Sequence, residues 1–109
     1  MKVSELQAKL GIKPINAIHE KEIDGVIISD MVSDIVSGAK AGNLLVTIQM
    51  HKNLIATANL VDISAIVFVR DKKPMDDVVE LAERAGITLF TTELDSWKFA
   101  IKLHDIGMK

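Results

Sequence analysis

Short runs of β-branched and aliphatic residues alternate along this chain with segments of helical character. That alternation constrains the fold more than any other feature. The runs are "GVII", "LLVTI" (Leu44 to Ile48), "AIVFV" (Ala65 to Val69) and "ITLF" (Ile87 to Phe90). Between and after them lie "DMVSDIVSG", "NLIATANLVD", a stretch from Pro74 to Ala85 and another from Leu94 to Ile106. Strand–helix alternation implies βαβ crossovers and a mostly parallel sheet. The runs are apolar at successive positions, as strands covered on both faces require. The 109 residues suffice for one hydrophobic core. The sequence therefore predicts a single α/β domain over residues 1–109, its sheet covered by helices on both faces.

Local signals mark the element ends. Ser4 and Gln7 have capping-box spacing, and Gly11 suits the end of that first helix. "INAI" reads as a short strand before "DGVIIS". In the next helix Met31, Val32, Ile35 and Val36 are expected inward. Pro74 suits a first helical turn, Asp76 and Asp77 favour a helix N-terminus, and Gly86 suits the helix end. Glu80 and Arg84 are spaced for an i, i+4 pair. Thr92 is the expected cap of the last helix, which Gly107 can terminate.

Composition narrows the function. Acids and bases are mixed along the chain, and the net charge is −2. No basic stripe exists to neutralise phosphates, and only 4% of residues are aromatic, which argues against nucleic acid. The chain has no cysteine, so thiolate metal sites and a cysteine nucleophile are excluded. No apolar run approaches the ~20 residues that span a bilayer. A cytoplasmic protein without a membrane partner is expected.

Ligands of open α/β sheets collect beyond the carboxyl ends of the strands, and polar residues cluster where those ends are expected. Ser29, Asp30, Ser33 and Asp34 follow the first good strand. Gln49, His51 and Asn53 follow the second. Arg70 and Asp71 follow the third, and Thr91 and Thr92 the fourth. Asp30, Asp34 and His51 together offer oxygen and imidazole donors suited to Mg²⁺ or Mn²⁺. The simpler account makes Asp30 a helix N-cap and Asp34 a first-turn acid. No metal motif, serine elbow, GxxxxGK[ST] or GxGxxG spacing is present, so no catalytic residue, metal or cofactor is assigned. Trp97, Phe99, Ile101 and Leu103 point more than one way on a helix. Either they form a small second core with the N-terminal helix, or Trp97 and Phe99 belong to a subunit interface.

From Gly42 to Thr92 the order of features resembles a DRTGG domain, the fold also seen at the N-terminus of bacterial HPr kinase/phosphorylase. The resemblance lies in the strand after Gly-Asn, the Ala-rich helix, "AIVFV", the "P…V.ELAE..GI.LF.T" stretch and the closing helix. It is strongest to a small stand-alone branch with a Ser-Asp-x-x-Ser-Asp segment, here Ser29, Asp30, Ser33 and Asp34. That branch also carries a Gln-x-His-x-Asn segment, here Gln49, His51 and Asn53. The namesake Asp-Arg and Thr-Gly-Gly fall near "MHK" and "VRD" without a match, so no role transfers from them. Members of the branch are often labelled serine kinases. In the HPr kinase, however, the nucleotide site belongs to a separate P-loop domain. The resemblance implies an accessory, regulatory role of the kind such domains play beside enzymes or nucleotide-sensing CBS domains. The expected protein is a homodimer without kinase activity. It binds a small anionic or nucleotide ligand, or a partner protein, through the strand-end residues. The alternative is a small metal-assisted phosphotransfer or hydrolytic enzyme at the same edge.

Overall fold

The computed structural model describes all residues from Met1 to Lys109. The elements are α1 (Val3–Leu10), β1 (Lys13–Pro14), β2 (Val26–Ile28), α2 (Val32–Gly38), β3 (Leu44–Thr47), α3 (Lys52–Leu60), β4 (Ala65–Phe68), α4 (Asp76–Ala85), β5 (Thr88–Thr91) and α5 (Ser96–Asp105). They form a five-stranded sheet in the order β1-β5-β4-β3-β2. The last four strands in sequence are mutually parallel, and β1 runs antiparallel along β5.

The fully buried strands explain their unbroken apolar sequences. Leu44 and Val46 of β3, Ala65 and Val67 of β4, and Phe90 of β5 face one side, where Val3 and Leu6 of α1 and Phe99 and Leu103 of α5 close over them. Leu45, Ile66, Phe68 and Leu89 face the other, against Ile35 of α2, Leu54, Ile55 and Ala58 of α3, and Val78 and Ala82 of α4. The three crossover helices thus share one face, as a run of same-handed βαβ connections between adjacent strands requires. Burying each large aliphatic side chain stabilises the fold by roughly 1.5–3 kcal/mol before chain entropy is set against it.

Several helix ends follow their local signals. Gly11 and Gly86 adopt left-handed φ values of 63° and 70°, where a side chain would be strained. The Gly11 amide closes α1 on the Gln7 carbonyl at 2.8 Å. Asp76 and Asp77 lie in the first turn of α4, and Glu80 pairs with Arg84 at 2.6 Å.

Other expectations are corrected. Ser4 does not cap α1. Glu5 accepts the Lys2 amide, and the Ser4 amide and hydroxyl both donate to Glu20. The first strand is Lys13–Pro14 rather than "INAI". Asn16 holds the following segment by accepting the Leu89 amide at 2.7 Å. Pro74 precedes α4, whose N-cap is Met75. Met31 and Val36 point outward, 60% and 49% exposed, because α2 lies over the edge of the sheet and only Ile35 is fully buried there. Trp97 and Phe99 part company: Trp97 is 74% exposed, whereas Phe99 is 1% exposed and packed in the core with α1. Phe99 therefore belongs to the protomer's own core rather than to an interface. No helix is long and apolar enough to cross a membrane.

Candidate functional site

Parallel pairing of β2 through β5 brings the segments after them to one edge of the sheet. There the polar residues bond chiefly to one another. Asp30 does not cap α2, whose N-cap position is Met31. Its Oδ1 instead accepts the Ile48 amide at 2.9 Å and the Thr47 hydroxyl at 3.0 Å, tying the end of β2 to the end of β3. The register explains why. Ile28 stands opposite Val46, so the residues two further along each strand, Asp30 and Ile48, come side by side.

A ladder of local bonds continues from this tie. The Thr47 hydroxyl accepts the Gln49 amide at 3.0 Å, Gln49 Oε1 accepts the His51 amide at 3.1 Å, and His51 Nδ1 accepts the Asn53 amide at 3.2 Å. The last bond is a side-chain cap on α3. It leaves the imidazole proton on Nε2. Each step satisfies an amide that the turn from strand to helix leaves without a ladder partner. Ser29 accepts the Met31 amide at 3.3 Å. Ser33 and Asp34 sit exposed in the first turn of α2.

The β4–β5 side of the edge is built differently. Arg70 and Asp71 both adopt φ of 57°, two successive left-handed residues without a glycine. Such positions are strained for side chains and persist only where surroundings hold them. Here the Arg70 amide donates to the Leu94 carbonyl at 2.8 Å, and the Asp71 amide to the Thr92 carbonyl at 2.7 Å. Thr92 does not cap α5. Its hydroxyl accepts the Leu94 amide, while Asp95 caps the helix by accepting the Lys98 amide at 2.9 Å. Arg70 and Thr92 both line surface recesses.

The structure thus brings Asp30, Gln49, His51 and Asn53 into one connected set, with Thr47 as the link that the sequence did not single out. Asp30, Asp34 and His51 do not converge, and no group of three or more His, Asp or Glu side chains is gathered closely enough to hold a metal ion. A second cluster was also missed. His19 Nε2 meets the Glu83 carboxylate at 2.7 Å, Asn16 Nδ2 donates to the same oxygen at 3.2 Å, and the His19 amide donates to the Thr88 hydroxyl at 2.7 Å. The His19 contact holds the Glu83 carboxyl below its ordinary range. On the same helix, a hydrogen bond from Lys52 at 3.0 Å does likewise for Asp77. His19 and Glu83 are 64 residues apart, so no local pattern could have paired them.

Comparison with known proteins places this architecture. No curated protein matches the chain in sequence. Among solved structures, the chain is similar to the CBS and DRTGG domains of the regulatory region of a Clostridium perfringens pyrophosphatase, solved with its activator diadenosine tetraphosphate. The TM-score is 0.72 at 16% identity; the match covers 93% of this chain and 45% of that one. It therefore spans less than half of that regulatory region. The family model of the DRTGG domain matches residues 3–106. With nearly its whole length matched, the chain belongs to the DRTGG domain family.

Proposed function

We propose that this protein is a non-catalytic regulatory module that senses a small anionic ligand, acts as a homodimer in the cytoplasm and has no kinase activity of its own. The observation that carries the reading is how the edge is used. Asp30, Gln49 and His51 spend hydrogen-bonding groups on holding the strand ends and the α3 N-terminus together. A catalytic set would aim those groups at a shared reacting atom. Such an edge is suited to present a shaped surface to a ligand or a partner protein. Family membership supports the regulatory role, since the pyrophosphatase relative carries its DRTGG domain in a regulatory region bound by an activator. Trp97 supports self-association, as a large indole left 74% exposed gains most from a second surface.

The test is a thermal-shift panel of nucleotides, phosphorylated metabolites and divalent ions. A ligand at ~100 times its dissociation constant stabilises the fold by roughly 2.7 kcal/mol. Silence across the whole panel counts against ligand sensing. Phosphate transfer from radiolabelled ATP that is abolished by Asp34→Ala counts against the non-catalytic assignment.

A further inference from the structure

The carboxyl end of β5 opens into a recess between the last turn of α1 and the inner side of α5. Two adjoining hollows of about 280 and 510 Å³ share Leu10, Ile12, Thr92, Leu94 and Lys102 in their walls. Together they reach the size range of small-molecule sites. The floor is apolar, made by Leu10, Ile12, Leu94 and Ile106. Four lysines stand around it: Lys9 at one end, Lys13 and Lys73 at the other, and Lys102 in the wall that the two hollows share. None of them is in an ion pair; the chain's one lysine–carboxylate pair is Lys52 with Asp77. Asp71, Glu93 and Asp105 line the same recess and also lack a cationic partner.

Four lysines against three carboxylates leave the recess with a net charge of +1, which favours an anion among the lysines. Unpaired carboxylates nearby accept hydrogen bonds from neutral donors such as hydroxyl groups. An apolar floor favours a flat or aliphatic body over water. One common class of ligand meets all three demands. Phosphate oxygens suit the lysine ammonium groups, ribose hydroxyls can donate to Asp71 or Glu93, and the base covers Leu10 and Ile12.

We propose that this recess between α1 and α5 binds a nucleoside phosphate, held by Lys13, Lys73 and Lys102. The inference rests on the ligand-sensing reading and gives that reading a location away from the Asp30–Asn53 ladder. Titration calorimetry with ATP, adenosine and tripolyphosphate tests it, on the full chain and on Lys13→Ala, Lys102→Ala and the control Lys52→Ala. ATP should bind most tightly, because only it uses both the lysines and the floor. Each recess substitution should weaken it by about tenfold, by loss of a charge-assisted contact. Lys52→Ala should leave it unchanged, with circular dichroism confirming that all variants remain folded.

Equal ATP affinity in the recess variants overturns the location. Equal affinity for tripolyphosphate and ATP overturns the nucleoside assignment. No binding of ATP at about 5 mM, where even a millimolar site would fill, overturns the proposal outright. Stabilisation by another member of the thermal-shift panel would then leave the sensing role standing, whereas silence across that panel removes both.

Discussion

The Thr47 hydroxyl donates to Asp30 Oδ1 at 3.0 Å, joining the ends of two adjacent parallel strands through their side chains. Thr47 is fully buried, and the same hydroxyl accepts the Gln49 amide. A polar group at that depth needs its partners. Asp30 therefore acts across the sheet rather than along its own helix.

This relationship predicts an unusual substitution series. Asp30→Ala should destabilise the fold by about 1–2 kcal/mol, since two donors lose a charged acceptor. Asp30→Asn retains a carbonyl oxygen at the same reach and should recover part of that loss. Asp30→Ser is too short to bridge to β3 and should melt like alanine. Urea melts rank the three variants. A serine variant as stable as the parent would show that Asp30 serves only its local turn.

The α3 cap makes a separate prediction. His51→Ala should cost about 0.5–2 kcal/mol, the usual worth of a side-chain N-cap. His51→Asp or His51→Asn should restore it, because either oxygen can accept the Asn53 amide. Denaturant midpoints that do not move on His51→Ala would dismiss the cap.

Two aromatic residues on α5 should behave oppositely. Phe99→Ala empties a buried site and should cost about 3–5 kcal/mol. Trp97→Ala should leave protomer stability within about 0.5 kcal/mol. If the proposed dimer uses this face, Trp97→Ala should weaken association when light scattering is followed across concentration. A parent protein that stays monomeric throughout removes the dimer.

The Glu83 carboxyl sits below its ordinary value of 4.5, chiefly because His19 bonds to it. A carboxyl depressed in the folded state contributes stability above its unfolded value, and that contribution is lost as pH falls through the folded value. Parent and Glu83→Gln should therefore differ in stability above 4.5 and converge in more acidic solution. The difference should be small, because the pair is solvent-accessible and screened. Thermal melts across the acid range follow it. A gap that widens on acidification would reverse the assignment.

What could be read from the sequence was set within a few residues. The apolar runs of β3, β4 and β5 specify strands covered on both faces, and the left-handed ends at Gly11 and Gly86 follow from glycine's freedom there. The DRTGG resemblance was carried by the order of these same elements. The roles of the site residues depended on partners far along the chain. Asp30 finds its acceptor role 18 residues away because the β2–β3 register sets it beside Ile48. His19 and Glu83 meet because the segment after β1 crosses to α4. Phe99 and Trp97 share one helix two positions apart, and only the packing of α1 against α5 buries one and leaves the other out. Local propensity acts over a turn or a strand, whereas sheet order and register decide which distant groups become neighbours.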